Sequence, residues 1–211
     1  MIKTLKGDIK FIILDTRFFR SALSPSKEPN MRYQPNKEGE GTLLGSEQWD
    51  SFWLLITNQF NWTPLFLLIF YLVIKSFGWK KGGFVIMALI VLVAFSDQFV
   101  NLIKNSTARL RPNNDPEIQH LLSILKRPQS FSFISGHATT STFFSVFVIF
   151  LLREKYKFIY LILFFPLIFA YSRLYLGVHF PIDISLGIVT GILLANMYFF
   201  LFKKVEKKLF V

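Results

Sequence analysis

Residues 84–103, FVIMALIVLVAFSDQFVNLI, decide what kind of protein this is. A helix needs about 20 apolar residues to cross about 30 Å of hydrocarbon, and this run supplies them with a single carboxylate, Asp97, inside it. Four more apolar runs, residues 63–77, 138–152, 157–171 and 182–202, come near that length once flanking turns are added. The expected fold is all-α: a polytopic membrane helical bundle of five transmembrane helices, with shorter or interfacial helices before it.

Composition points the same way. Hydrophobic residues make up 52%, aromatics 18%, and Phe alone occurs 26 times in 211 residues, more than an ordinary soluble domain carries. Mean hydropathy is +0.43. The net charge of +11 raises nucleic acid as a partner. The cations, however, sit in short segments between apolar runs, where membrane topology and anionic lipid account for them. The expected partners are the bilayer and a lipid, not nucleic acid, and no obligate protein partner is evident. With no cysteine, disulfides, thiolate metal sites and cysteine nucleophiles are excluded.

The chain divides into residues 1–61, N-terminal interfacial segments with a polar loop, and residues 62–211, the membrane core. The start, MIKTLKGDIKFIILDTRFFR, has a brief apolar patch broken by Asp15 and no small-residue cleavage site, so a cleavable signal peptide is not expected. Residues 21–47 are polar and rich in Pro and Gly, as exposed loops are. On either side, DIKFIILDTRFF and WDSFWLLITNQF are too short to span, and Trp49, Trp53 and Trp62 suit a headgroup belt.

Three basic clusters lie in alternate connections: Lys75, Lys80 and Lys81; Arg153, Lys155 and Lys157; and Lys203, Lys204, Lys207 and Lys208. Five crossings put all three on one side, which the positive-inside rule makes cytoplasmic. Lys104, Arg109, Arg111, Lys126, Arg127 and Arg173 fall on the other side, against the rule, so these cations are expected to have another task.

Three segments on that far side carry chemistry. In KNSTARLRP, Lys104 to Pro112, Arg111 lies seven positions after Lys104, so the two share a helix face if the helix runs that far. Pro112 disfavours helix at Arg111 and is expected to turn the chain. The plain alternative is a basic anchor ending a membrane helix. Upstream, Asp97 either holds Lys104 or another cation, or is a boundary residue near the headgroups. In SGH, Ser135 to His137, a hydroxyl, a glycine and a helix start coincide, and helix-start N–H groups attract anions. A capping serine beside an incidental histidine is the alternative. In SRLYLGVHFPID, Asp183 follows His179 by four positions, and a carboxylate on one imidazole nitrogen leaves the other free for attack. A structural pair at a helix start is the alternative, with Pro181 suited to the first turn. Taken together, the segments supply what a tetrahedral phosphate needs: cations and N–H donors for its oxygens, a nucleophile and an acid.

In order and spacing, KNSTARLRP, ISGH and SRLYLGVHFPID resemble the signature of the type 2 phosphatidic acid phosphatase superfamily, with Ile134 where proline is usual. The resemblance covers residues 60–205. It implies that His179 attacks phosphorus to form a phosphohistidine, Asp183 orients it and His137 protonates the leaving oxygen. It further implies that Lys104, Arg111, Arg173, Ser135 and the Gly136 N–H bind the phosphoryl oxygens, and that neither metal nor other cofactor is used. Arg109, Lys126 and Arg127 are candidates to touch a second phosphate or headgroup, and His120 is expected to be solvated.

The expected protein is thus a membrane lipid phosphatase of the bacterial inner membrane, its site facing the periplasm or outside. By analogy its substrate is undecaprenyl diphosphate, with phosphatidylglycerophosphate, phosphatidic acid and lipid A phosphates as alternatives. Vanadium haloperoxidases resemble the same phosphate pocket, but they are soluble and five apolar spans oppose that reading. A mere binder of anionic lipid would have no need of His137 or the His179–Asp183 pair.

Overall fold

The computed structural model describes residues 47–116, 119 and 124–210. The expectations for residues 1–46 and for His120 fall outside these. Among the described residues the secondary structure is helical: α1 (Glu47–Ile56), α2 (Thr63–Thr107), α3 (Gly136–Leu152), α4 (Phe164–Tyr175) and α5 (Pro181–Phe210). Short 3-10 turns lie at Gln59–Trp62, Pro112–Asn114 and Lys157–Leu163, the last running directly into α4.

The 45 residues of α2 are two spans, not one. Gly78 breaks the helix with φ 70 and ψ 176, a conformation glycine reaches without the penalty a Cβ would bring. Beyond it the chain doubles back: a Cβ at Gly82 would lie 3.2 Å from Ile74 Cα and 3.5 Å from Val73 O. Eight residues of continuous helix would hold those positions about 12 Å apart. The first two apolar runs are therefore antiparallel neighbours joined at Gly78; among the described residues Gln59–Thr107, Lys157–Tyr175 and Pro181–Phe210 are long and apolar enough to cross a membrane, and Gly136–Leu152 is a shorter apolar helix.

Contacts between connections fix which ends lie together. The Lys155 ammonium donates to the Ser76 carbonyl and lies 4.7 Å from the Phe77 ring centre. Lys81 and Lys203 each reach Glu206 at 2.8 Å. All three basic clusters thus share one end of the bundle, and residues 108–116, 124–135 and 176–180 cap the other.

Inside, the core is aromatic. Phe143, Phe147, Leu89, Leu92, Leu152, Val73 and Val85 are fully buried, and Phe147 meets Tyr198 and Phe202 edge-on at 5.2 and 5.5 Å. Outside, Leu67, Leu68, Tyr71, Met87, Ile90, Leu193 and Phe200 are exposed. So continuous an apolar exterior is foreign to soluble monomers and is what hydrocarbon requires. The protein is an integral membrane protein.

The closest helix pair is α3 with α5. A Cβ at Gly191 would sit 2.7 Å from Thr139 O and 3.0 Å from Phe143 N, so glycine there lets two backbones touch. At 17 residues, α3 is about 25 Å long, shorter than the hydrocarbon is thick. Its first turn accordingly starts inside the bundle, beneath the capping loops.

Before α2, Trp49 is exposed, whereas Trp53 stacks on Tyr175 at 5.4 Å and Trp62 packs on Phe165 at 4.6 Å, so α1 and the turn after it pack beside the bundle, against α4.

Candidate active site

Each motif is positioned by the end of a helix. α2 stops at Thr107 because Ala108 adopts the left-handed conformation (φ 47), its N–H closing on Lys104 O. Arg111 follows in extended backbone (φ −78, ψ 155), as a residue before proline prefers. The helix therefore does not run on to Arg111. A turn and a loop, rather than a shared helix face, bring Arg111 to Lys104. α3 begins at Ser135, whose side chain accepts from Ala138 N at 3.5 Å. α5 begins at Pro181, and the Asp183 carboxylate reaches back to accept from Phe180 N at 3.0 Å, half of a capping box.

The three motifs touch. Ser135 N donates to Asp183 O at 3.1 Å, which joins the second to the third. A Cβ at Gly136 would lie 3.8 Å from Lys104 Nζ, which joins the first to the second. Arg111 Nη1 lies 3.1 Å from His179 Nε2 and donates to Val178 O at 2.9 Å, which joins the first to the third. His137 is half-buried, with its ring 4.6 Å from that of Phe169, and it feels the charges of Arg173, Lys104 and Arg111 as well as His179.

Of the other expected site residues, Lys104, Arg111, Arg173, His179, Asp183 and Ser135 are between 0% and 8% exposed, and Gly136 is half-buried. Among the described residues the buried carboxylate that acts on Lys104, Arg111 and Arg109 is Asp183, and it is already engaged by Arg109 at 2.7 Å. An excess of buried positive charge is costly unless an anion offsets it. Arg173 gives Nη1 to Thr57 Oγ1 at 2.6 Å, and its Nε is buried with no hydrogen-bond partner among the described residues.

The tautomer of His179 follows from its neighbours. A guanidinium only donates, so Nε2 carries the lone pair and Nδ1–H points to Asp183 Oδ2 at 3.5 Å and Ser132 Oγ at 3.4 Å. Burial pushes the imidazolium down to about 3, against the opposing pull of Asp183, so the ring is neutral at physiological pH. Burial also lowers the Arg111 guanidinium to about 10, with Asp183 again opposing, which leaves it charged.

One sequence reading is corrected. Arg109, a candidate for a second phosphate or a headgroup, instead pairs with Asp183 and stacks 4.1 Å from the Phe180 ring centre. Asp97 is exposed and accepts from Asn101 Nδ2 at 3.1 Å, and it is among the charges that act on Lys104. Lys126 and Arg127 lie in the capping loop, where the Lys126 carbonyl accepts from Asn113 Nδ2 at 2.8 Å.

Three residues escaped the sequence reading. Ser132 is fully buried and donates to Asp183 Oδ2, while its N–H holds Arg109 O at 2.9 Å. Ser130 accepts from Arg111 through its carbonyl at 2.6 Å and its hydroxyl at 2.8 Å. Thr57 is the third. Ser132 lies three positions before Ser135, but no periodicity marks a loop hydroxyl as a partner for a carboxylate 51 residues away.

A lipid A 4'-phosphatase from Bacteroides thetaiotaomicron is 32% identical over 171 residues, 79% of this chain and 75% of that protein. Another, from Porphyromonas gingivalis, is 28% identical over 153 residues, 71% of this chain and 64% of that protein. The fold is similar to that of a transmembrane PAP2 type phosphatidylglycerolphosphate phosphatase from Bacillus subtilis. That match has TM-score 0.58 and 19% identity, covering 99% of this chain and 98% of the other. The model of the PAP2 superfamily matches residues 84–207, more than half of the chain and all three motifs, and so the protein belongs to the PAP2 superfamily and is a membrane lipid phosphatase, a hydrolase of phosphoric esters.

Proposed function

We propose that this protein removes a phosphate from lipid A by way of a phosphohistidine. The observation that carries the chemistry is a neutral, buried His179 whose Nε2 lone pair faces a cluster of cations with, among the described residues, one buried carboxylate, Asp183. A phosphoryl group entering there takes Lys104, Arg111 and the orphaned Arg173 Nε on its oxygens, with the first-turn N–H groups of α3 as further donors. Arg111 Nη1 moves from Nε2 onto an oxygen as phosphorus takes its place.

The steps balance with water as the co-reactant and with the proton that His137 gives up in the first half regained from water in the second. His179 Nε2 attacks phosphorus, the bond to the lipid oxygen breaks, and His137 gives that oxygen a proton. Asp183 holds Nδ1–H and offsets the charge that grows on the ring. Water, losing a proton to His137, then cleaves the N–P bond and releases inorganic phosphate. The fixed cations perform the charge neutralisation that metal ions perform in other phosphoryl transfer sites.

The substrate reading rests on the relatives. Both curated proteins are lipid A 4'-phosphatases, which favours lipid A, one of the alternatives, over the undecaprenyl diphosphate expected by analogy. By the positive-inside rule the basic end is cytoplasmic, which places the site on the outer side of a bacterial inner membrane. The test is phosphate release by the purified chain from lipid A 1,4'-bisphosphate, undecaprenyl diphosphate, phosphatidic acid and phosphatidylglycerophosphate. Lipid A should have the highest kcat/KM and lose its 4'-phosphate; a higher value for any other lipid overturns the substrate reading.

A further inference from the structure

Arg173 is held from outside the family core. Its Nη1 meets Thr57 Oγ1 at 2.6 Å, and Thr57 lies 27 positions before residue 84, where the family match begins. Thr57 is 2% exposed, on a corner otherwise open to its surroundings. Local bonds build that corner. Thr57 N closes on Trp53 O at 3.0 Å, Asn58 Oδ1 accepts from Phe60 N at 3.1 Å, Asn61 Nδ2 donates to Leu55 O at 2.8 Å and Trp62 Nε1 donates to Ile56 O at 2.9 Å. The corner is also fastened to α4, the helix that bears Arg173. Asp50 Oδ1 accepts from Tyr175 OH at 2.8 Å, and Trp53 packs on Tyr171 at 4.9 Å and Tyr175 at 5.4 Å.

A buried guanidinium beside two other cations is repelled by them and has several rotamers in which to retreat. One fixed acceptor on Nη1 removes that freedom and leaves Nε aimed without a partner. We propose that Thr57 is a positioning residue for the phosphate site: α1 and its corner present one hydroxyl that holds Arg173 in the orientation in which its remaining donors face the phosphoryl oxygens. This rests on the reading of Arg173 as a phosphate ligand.

The test uses the full chain in detergent and two readouts, kcat/KM for phosphate release from lipid A 1,4'-bisphosphate and the inhibition constant of inorganic phosphate. The loss of one hydrogen bond to a charged group corresponds to roughly 10- to 100-fold, so Thr57→Val should lower kcat/KM and raise the inhibition constant by about that factor. Thr57→Ser keeps the oxygen and should stay within about threefold of the parent. In an Arg173→Ala background, Thr57→Val should cost nothing further. If Thr57→Val fails to yield monodisperse protein, Thr57→Ala makes the same comparison. The proposal is overturned if Val or Ala matches the parent, if Ser is as poor as Val, or if the loss persists without Arg173. Should Arg173→Ala alone change neither readout, the phosphate reading of the site fails together with it.

Discussion

Ser132→Ala is the sharpest probe of how His179 is held ready. The hydroxyl is fully buried and donates to Asp183 Oδ2, one of four donors on that carboxylate beside Arg109, Phe180 N and His179 Nδ1. Alanine removes the hydroxyl and leaves the Ser132 N–H on Arg109 O, so the loop keeps its anchor. A hydrogen bond to a buried charged group contributes about 1.5–3 kcal/mol, or about 10- to 150-fold in rate if the loss falls on the transition state. The transition state should bear most of it. In the proposed mechanism the His179 ring becomes cationic as it bonds to phosphorus, and the stability of that cation depends on an ionised Asp183 kept in line with Nδ1–H. The assay is steady-state phosphate release by purified variants, with kcat and KM separated. Ser132→Ala should lower kcat by that factor and leave KM nearly unchanged, whereas in an Asp183→Asn background it should add nothing. A kcat within about twofold of the parent would refute the reasoning, since a bond of this kind to a buried charge cannot be worth so little. An equal loss in the Asp183→Asn background would place the effect elsewhere.

Three further outcomes follow from local geometry. Gly191→Ala drives a Cβ into Thr139 O at 2.7 Å and Thr142 Cβ at 2.9 Å, and should destabilise by about 1–3 kcal/mol. Gly83→Ala, with nothing within 4 Å, should be neutral or stabilising, and thermal unfolding in detergent compares them. Ala108→Gly relieves a left-handed alanine (φ 47) and should raise stability by up to about 1 kcal/mol; a fall in unfolding temperature would contradict this. His179 is depressed from 6.5 to about 3 by burial, so between those values the unfolded chain binds the extra proton. Its contribution is complete above pH 6.5 and is lost as pH falls toward 3. The fall in unfolding temperature over that window should be shallower in His179→Asn, and identical slopes would count against a neutral buried imidazole.

Much of this protein could be read along the chain. The apolar runs at residues 63–77 and 84–103 show as two spans although one unbroken helical assignment covers both, because hydrocarbon thickness limits span length whatever joins the spans. Motif order placed Lys104, Arg111, Ser135, His137, Arg173, His179 and Asp183 at one end of the bundle, since alternate crossings leave no other arrangement. Spacing misled where it assumed a continuing helix. Arg111 reaches Lys104 through a left-handed turn at Ala108, and a seven-residue step could not reveal that the helix had already ended. Nor could Asp97 be assigned from its stripe, because a helix fixes which side chains align and not which of them face protein.

The amino-acid sequence by itself determined a bundle of membrane helices and the charged groups at one end of it, because hydrophobic length and motif order are properties of the chain in one dimension. Only the tertiary structure decided which partner each group has. Arg109 lies on Asp183, Ser132 lies beneath the same carboxylate, and Thr57 reaches across 116 positions to Arg173. Such pairings depend on hydrogen-bond distances of about 3 Å between segments brought together by helix packing, and no local pattern of residues encodes them.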